Sequence, residues 1–544
     1  MKVGTIWHNG LIYTLEQENE TVQAVLTEKG KIIDAGSPEY LRNVHQARIT
    51  REIDLKGTTM IPGLVDSHMH LVGHGERIMR LDISQMKSRE EVLEAVAQKC
   101  EATPKGEWIV AEGWNENEWT NPELILRDEL DGISTEHPLI LKRICRHAMV
   151  VNTRALLESE ISTDIKEPSG GVIGRYKNGK LNGLFKENPA MEFITSKLPG
   201  ITQAYVEAAL RTAIKDCYRL GLTGGHTEDL NYYNGFQSTY DAFVSVIERE
   251  GLTFRANLLV HHEVMDDMRK GGYKYGAGTA FAVFDGMKVF ADGSLGGNTA
   301  LLSKPYADNP GTQGVATFTQ EELYALVKKA RSHEMPVAVH AIGDLAFEYV
   351  LNAIEKLPPR KGLRDRLIHA QIMRKDLLDR ARLLPVIFDI QPGFVPSDFP
   401  WVEEKVGKTY MEFSYAWRTY LEMGIPCAGG SDAPIELANP LLGIHAAVTR
   451  MKPSDPERTI YGEEQRLSMY EAVSLYTKGS AFAIGCENRR GQIRKGFDAD
   501  FTILETDIFS KSTDALLDNK AVMTVINDQV VFQGEETSIL IKKL

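Results

Sequence analysis

The sequence predicts an α/β fold: a (β/α)8 barrel of the TIM type, a composite β-sandwich made from both chain ends, and an inserted α/β subdomain. Three observations carry that expectation. Strand-like and helix-like segments alternate through the middle of the chain, which is the pattern of βα units around a parallel sheet. Both ends are rich in short strands and turn residues. The gap between the first two barrel strands, residues 72 to 220, is far too long for one βα connection.

Taken in order, residues 1–58 read as a small β unit. Thr5-Ile-Trp7, Gly10 to Thr14, Thr21 to Thr27 and Lys31-Ile-Ile33 are β-rich, punctuated by Asn9-Gly10, Lys29-Gly30 and Gly36-Ser-Pro38. The other end, 491–544, looks alike, with strand patterns at Gly491 to Ile493, Ala499 to Leu504 and Val522 to Phe532. Chain termini commonly lie close together, so the two pieces are expected to form one sandwich. The barrel is expected over 59–72 and 200–490. Its strands are read at Met60–Asp66, Gly221–Thr227, Phe254–Val260, Met287–Ala291, Pro336–Ala341, Arg366–Ala370, Val386–Gln391 and Ile425–Ser431. Helical periodicity between them is clear at Glu321 to Arg331 and Leu345 to Ile354. Residues 73–199 then form an inserted subdomain, with strands at Trp108–Glu112 and Leu139–Arg143, a helix from Arg89 to Cys100, and a turn-rich tract from Pro168 to Gly183. It leaves from the C-terminal end of the first strand, so it is expected to lid the face where barrel enzymes do chemistry.

Composition narrows the partners. Hydrophobic residues make up 43% of the 544 and charged ones 25%, ordinary globular values. Lys and Arg number 62 against 75 Asp and Glu, a net charge of −13, which disfavours nucleic acid or an anionic membrane as a partner. Five scattered cysteines without a Cys-x-x-Cys pair suggest a reducing compartment. The first residues lack the apolar core of a signal peptide and no apolar run reaches membrane-span length, so a cytoplasmic protein is expected. There is no Gly-x-Ser-x-Gly elbow, no phosphate-cradling Gly-x-x-x-x-Gly-Lys loop and no Gly-x-Gly-x-x-Gly after a strand, which argues against serine hydrolases, kinases and dehydrogenases.

The chemistry gathers at strand ends. His68 and His70 lie two residues apart at the end of an apolar run, so in a strand both side chains leave the same face and can grip one metal ion. Alignment of the eight strands puts Lys288 on the fourth, His340 on the fifth, His369 on the sixth and Asp432 just after the eighth. Taken singly, a histidine at a barrel end can bond a backbone group, and Asp432 can cap a turn. Lys288 is the most telling, because a lysine seldom lies in an apolar parallel strand without a charge partner.

These segments, with Pro62 to Leu71, Lys288 to Gly296, Val339 to Asp344, Ile368 to Gln371, Gly430 to Pro434 and Gly496 to Phe501, resemble the amidohydrolase superfamily. More narrowly they are similar to the YtcJ-like branch of amidohydrolase family 3, which includes N-substituted formamide deformylases. The resemblance runs nearly end to end and implies a centre of one or two divalent ions, zinc suiting the histidine-rich set best. It implies that His68, His70 and Asp432 hold the more buried ion and His340 and His369 the other, with Lys288 bridging them as an N-carboxylated lysine. Asp432 would also be the catalytic proton shuttle. The expected activity is hydrolysis of an amide, formamide or related C–N bond of a small molecule, and the relatives imply a homodimer. Substrate contacts are expected from Trp114, Glu116, His147, Asn298 and Gln391. Relatives often show Trp-Asp-Glu where this chain has Trp114-Asn115-Glu116, and Arg after Leu-Gly-Ser where it has Leu295-Gly-Gly-Asn298. Two other readings stand beside this one. A mononuclear deaminase of nucleobase-like rings shares the His-x-His start and late Asp, but has no need of a bridging lysine. A metal-free barrel scaffold would have lost ligands, whereas all six positions are filled here.

Overall fold

The computed structural model describes residues 4–543 except 85, 117–118, 120, 144–147, 169–170, 199 and 536–538. It divides into two compact units, one of Met1–His74 with Gln203–Leu544 and the other of Gly75–Thr202.

The larger unit holds eight parallel strands: β1 (Leu64–Met69), β2 (Leu222–Thr227), β3 (Arg255–His261), β4 (Ala282–Phe290), β5 (Val337–Ala341), β6 (Asp365–His369), β7 (Val386–Ile390) and β8 (Cys427–Gly429). Each pairs in parallel with its sequence neighbour from β1 to β8. Nearly every strand residue is buried, as expected where helices cover one face and the barrel interior the other. The ring is drawn shut beyond the strand ends, where Asp432 N donates to His68 O at 2.7 Å and His70 N to Ala433 O at 2.7 Å. Gly430 permits this approach, since a Cβ there would stand 2.6 Å from His68 N.

Barrel strand one begins later than the pattern suggests. Thr59–Pro62 is a strand of the terminal sheet, paired with Leu11–Ile12 and with Phe501–Leu504, and the chain crosses into β1 at Gly63. A Cβ at Gly63 would meet Thr223 Oγ1 at 2.5 Å, so only glycine fits this crossing. The apolar run from Met60 to Asp66 conceals the break because both halves are buried, and a buried strand carries no alternation to mark where it changes sheets. The terminal sheet has nine strands drawn from both chain ends. It branches at Gly4–Tyr13, which pairs along one edge first with Ile49–Asp54 and then with Thr59–Pro62. Both branches share one apolar core, including Trp7, Val25, Ile53, Met60, Ile503 and Met523. The run from Val522 to Phe532 is a hairpin turning at Asn527 and Asp528, both left-handed at φ 55° and 64°, as a two-residue hairpin turn requires.

Further down the barrel strands from their C-terminal ends, Arg366 is buried and paired with Asp285 and Asp389, each at 2.7 Å. Part of the interior is therefore ionic rather than aliphatic.

The smaller unit is built on a six-stranded sheet in the order 172–175, 181–186, 148–151, 139–143, 109–114, 81–82. Alternation along its strands feeds two cores: Leu139, Leu141 and Val150 to one, Ile140, Met149 and Val151 to the other. The tract from Pro168 to Gly183, read as turns, contributes an antiparallel pair to this sheet. No helix among the described residues is long and apolar enough to cross a membrane.

Candidate metal centre

At the C-terminal ends of the barrel strands the structure brings together all six residues read from strand ends. His68 Nε2 and His70 Nε2 each lie 3.4 Å from Asp432 Oδ1, and Lys288 Nζ lies 3.1 Å from His68 Nε2. One ligand atom from each of His68, His70 and Asp432 falls within 4.8 Å of the others. The His340 and His369 rings are 4.5 Å apart, and His369 is 5.7 Å from His68, centroid to centroid. Two of the six are held in the left-handed backbone region, His369 at φ 78° and Asp432 at φ 58°. Non-glycine residues seldom adopt it, and such strain clusters where a side chain must be aimed.

Second partners aim the rings. His70 Nδ1–H donates to Glu228 O at 2.7 Å, His340 Nε2–H to Gly293 O at 2.9 Å, and His369 Nδ1–H to Gln391 Oε1 at 2.8 Å. Each bond orients its ring through one nitrogen and turns the opposite nitrogen toward the cluster, the usual arrangement behind a ligating histidine. His68 Nδ1 is buried with no partner among the described residues. Four imidazoles, a carboxylate and a buried amine this close form a donor set suited to divalent ions.

Burial dominates the electrostatics. It pulls His68 and His340 well below the ordinary imidazole range, helped by Lys288 and neighbouring rings, and takes His369 down to about 4. It also lowers Lys288 to about 8, against the pull of Glu228 and Asp432. For His70 burial acts the same way, but the hydrogen bond and charge of Asp432 outweigh it and raise the ring to about 9. Burial would raise Asp432, yet the bond from His70 and the charges around it hold the carboxyl below its usual range.

Several supporting residues escaped the sequence reading. Asp66 accepts from Ser431 Oγ at 2.5 Å and from His68 N at 3.1 Å, tying β1 to the loop that carries Asp432, and burial pushes it up to about 7. A signal for it existed, because Asp66, His68 and His70 alternate on one face. Asp292 accepts the backbone N–H groups of Leu301, Ile342 and Gly343 at 2.8–3.0 Å and lies 3.5 Å from His340 Nε2. Glu228 is fully buried at the end of β2.

Four of the expected substrate contacts are bonded to other protein groups. Gln391 is buried and spends its amide on His369 and Asp389 O. Asn298 is bonded to Asp308 and to Lys405. Trp114 is 3% exposed in a core of the smaller unit, and its Nε1–H donates to Glu116, which also accepts from Arg143. His147 lies outside the described residues.

This barrel and strand-end cluster are those of a metal-dependent hydrolase fold, and residues 51–532 match the amidohydrolase family. The chain belongs to that family, whose members include hydrolases of carbon–nitrogen bonds other than peptide bonds, and it is an enzyme of that class. It is 46% identical to YtcJ of Bacillus subtilis (strain 168), which carries an amidohydrolase name, over 97% of this chain and 99% of that one. It is 23% identical to the N-substituted formamide deformylase of Arthrobacter pascens, over 95% of this chain and 96% of that one. Among solved structures, an uncharacterized metal-dependent hydrolase from Pyrococcus horikoshii OT3 superposes with a TM-score of 0.76 at 29% identity, covering 94% of this chain and 99% of that one.

Proposed function

We propose that the protein is a metal-dependent amidohydrolase that cleaves an amide, formamide or related C–N bond of a small molecule. The observation that carries this reading is the convergence of His68 Nε2, His70 Nε2 and Asp432 Oδ1 beside the Lys288 amine. In it, His68, His70 and Asp432 would hold the more buried of two ions, zinc by donor chemistry, and His340 and His369 would hold the other, with Lys288 as a carbamate that would serve both. A lysine lowered to about 8 offers the neutral amine that carbon dioxide requires, and the N–C bond that forms releases one proton to solvent. Divalent ions in this position supply Lewis acidity and lower the pKa of a water.

The chain's own groups do the rest. Asp432, held as a carboxylate, takes the proton of the attacking water and passes it to the leaving nitrogen. His70, His340 and His369 are held in orientation by Glu228 O, Gly293 O and Gln391, so the site reorganises little during the reaction. Likeness to a formamide deformylase supports N-formyl and N-acyl compounds as the first substrates to screen.

The test is elemental analysis of protein reconstituted with zinc and bicarbonate and then desalted, followed by that screen. A ratio near two ions per chain with hydrolysis of an N-acyl or N-formyl compound is expected. A ratio near one would move the reading to a single-ion site and to ring deamination, and a ratio near zero would overturn it.

A further inference from the structure

Glu228 is a buried carboxylate beside His70 that the proposed reaction does not use. It follows β2 directly, and its backbone holds the site: Glu228 N donates to Met69 O at 3.1 Å, and Glu228 O accepts from His70 Nδ1. The side chain is 0% exposed, and its Oε2 lies 3.7 Å from His70 Nδ1. Among the described residues neither carboxylate oxygen has a partner in good hydrogen-bond geometry, and the Tyr232 phenol interacts with the carboxylate and is pushed up by it. Tyr232 covers this side, its ring 6.1 Å from both His70 and His261. Asp229, next in the chain, is fully committed elsewhere, accepting from Leu71 N, Val72 N and Thr227 Oγ1.

An isolated buried carboxylate is among the costliest groups for a protein to keep. In the metal-free chain Glu228 faces two cations, the His70 ring 3.7 Å away and Lys288. Once Lys288 becomes a carbamate, as the proposed function requires, the lysine cation is replaced by an anion. Two divalent ions bring four positive charges; Asp432 and the carbamate cancel two of them, since the imidazoles are neutral. A buried anion then becomes favourable rather than costly.

We infer that Glu228 is a positioning residue of the metal centre, supplying from behind His70 the fixed negative charge that a two-ion site leaves unbalanced. This rests on the two-ion reading above. Its role is toward the ions and not toward substrate, because both oxygens are shut off from solvent.

The experiment compares wild type, Glu228→Gln and Glu228→Asp by chelator competition for zinc in bicarbonate buffer, together with melting temperatures before and after chelation. Glu228→Gln keeps the shape and removes the charge. It is expected to bind the second zinc equivalent about 10- to 100-fold more weakly, with Glu228→Asp recovering part of the loss. Metal-free Glu228→Gln is expected to melt at or above the metal-free wild type, whereas a residue that merely fills space would show no such opposition between the two states. Wild type binding two ions while Glu228→Gln binds both equally well would overturn the inference and leave the metal reading standing. Wild type binding no zinc would overturn the metal reading and this inference with it.

Discussion

Asp432 and Lys288 are both charged-type side chains held in surroundings they do not prefer. Asp432 sits in a left-handed backbone region with its Oδ1 3.4 Å from both His68 Nε2 and His70 Nε2, while Lys288 is a buried amine packed against His68 and 4.4 Å from the centre of the Phe290 ring. Asp432→Asn removes the proton acceptor at constant shape and is expected to lower turnover by about 10²- to 10⁴-fold. Lys288→Ala removes the bridge and is expected to abolish turnover. Circular dichroism and melting curves should show both variants folded; substantial activity in either would exclude the role assigned to it. These positions were legible in the sequence because each is a polar residue at the end of a buried apolar strand. Their supporting partners were not: Gln391, expected to contact substrate, has its amide on the His369 ring once β6 and β7 are paired.

At the scale of elements, the first and last barrel strands meet through the functional loop itself. Asp66 on β1 accepts from Ser431 and from His68 N, and the backbone bonds of His68 and His70 to Asp432 and Ala433 complete the closure. Asp66→Ala strands buried donors on both strands and is expected to cost about 2–4 kcal/mol. It should also loosen the His68–Asp432 geometry, so that melting temperature and zinc affinity fall together. A variant with a lowered melting temperature and unchanged zinc affinity would show that the closure is structural alone. The strand pattern gave the order and number of the barrel strands, because alternation with helices is a local property. It could not give the crossing at Gly63, where one apolar run serves two sheets, since that break is enforced by Thr223 from a strand far along the chain.

For the whole molecule, metal uptake should depend on pH in a defined direction. In the metal-free protein His70 carries its extra proton below about 9 and Lys288 below about 8, so both must lose protons for the site to fill. As pH falls through this range zinc affinity should drop by about tenfold per pH unit for each proton displaced. The rise in melting temperature on adding zinc should therefore be larger at pH 8.5 than at pH 6.5. A zinc-induced shift that is constant across this range would contradict those protonation states.

The sequence by itself determined the class of fold and marked six strand-end side chains as candidates for the centre. Both follow from short-range rules: apolar period sets strand and helix, and a polar residue at a strand's C-terminal end must face the barrel mouth. Only the tertiary structure decided which sheet takes Thr59–Pro62, which nitrogen of each histidine is turned inward, and that Glu228 stands buried behind His70. Those outcomes depend on hydrogen-bond partners and burial contributed by strands distant in sequence, and neither is encoded in the residues next door.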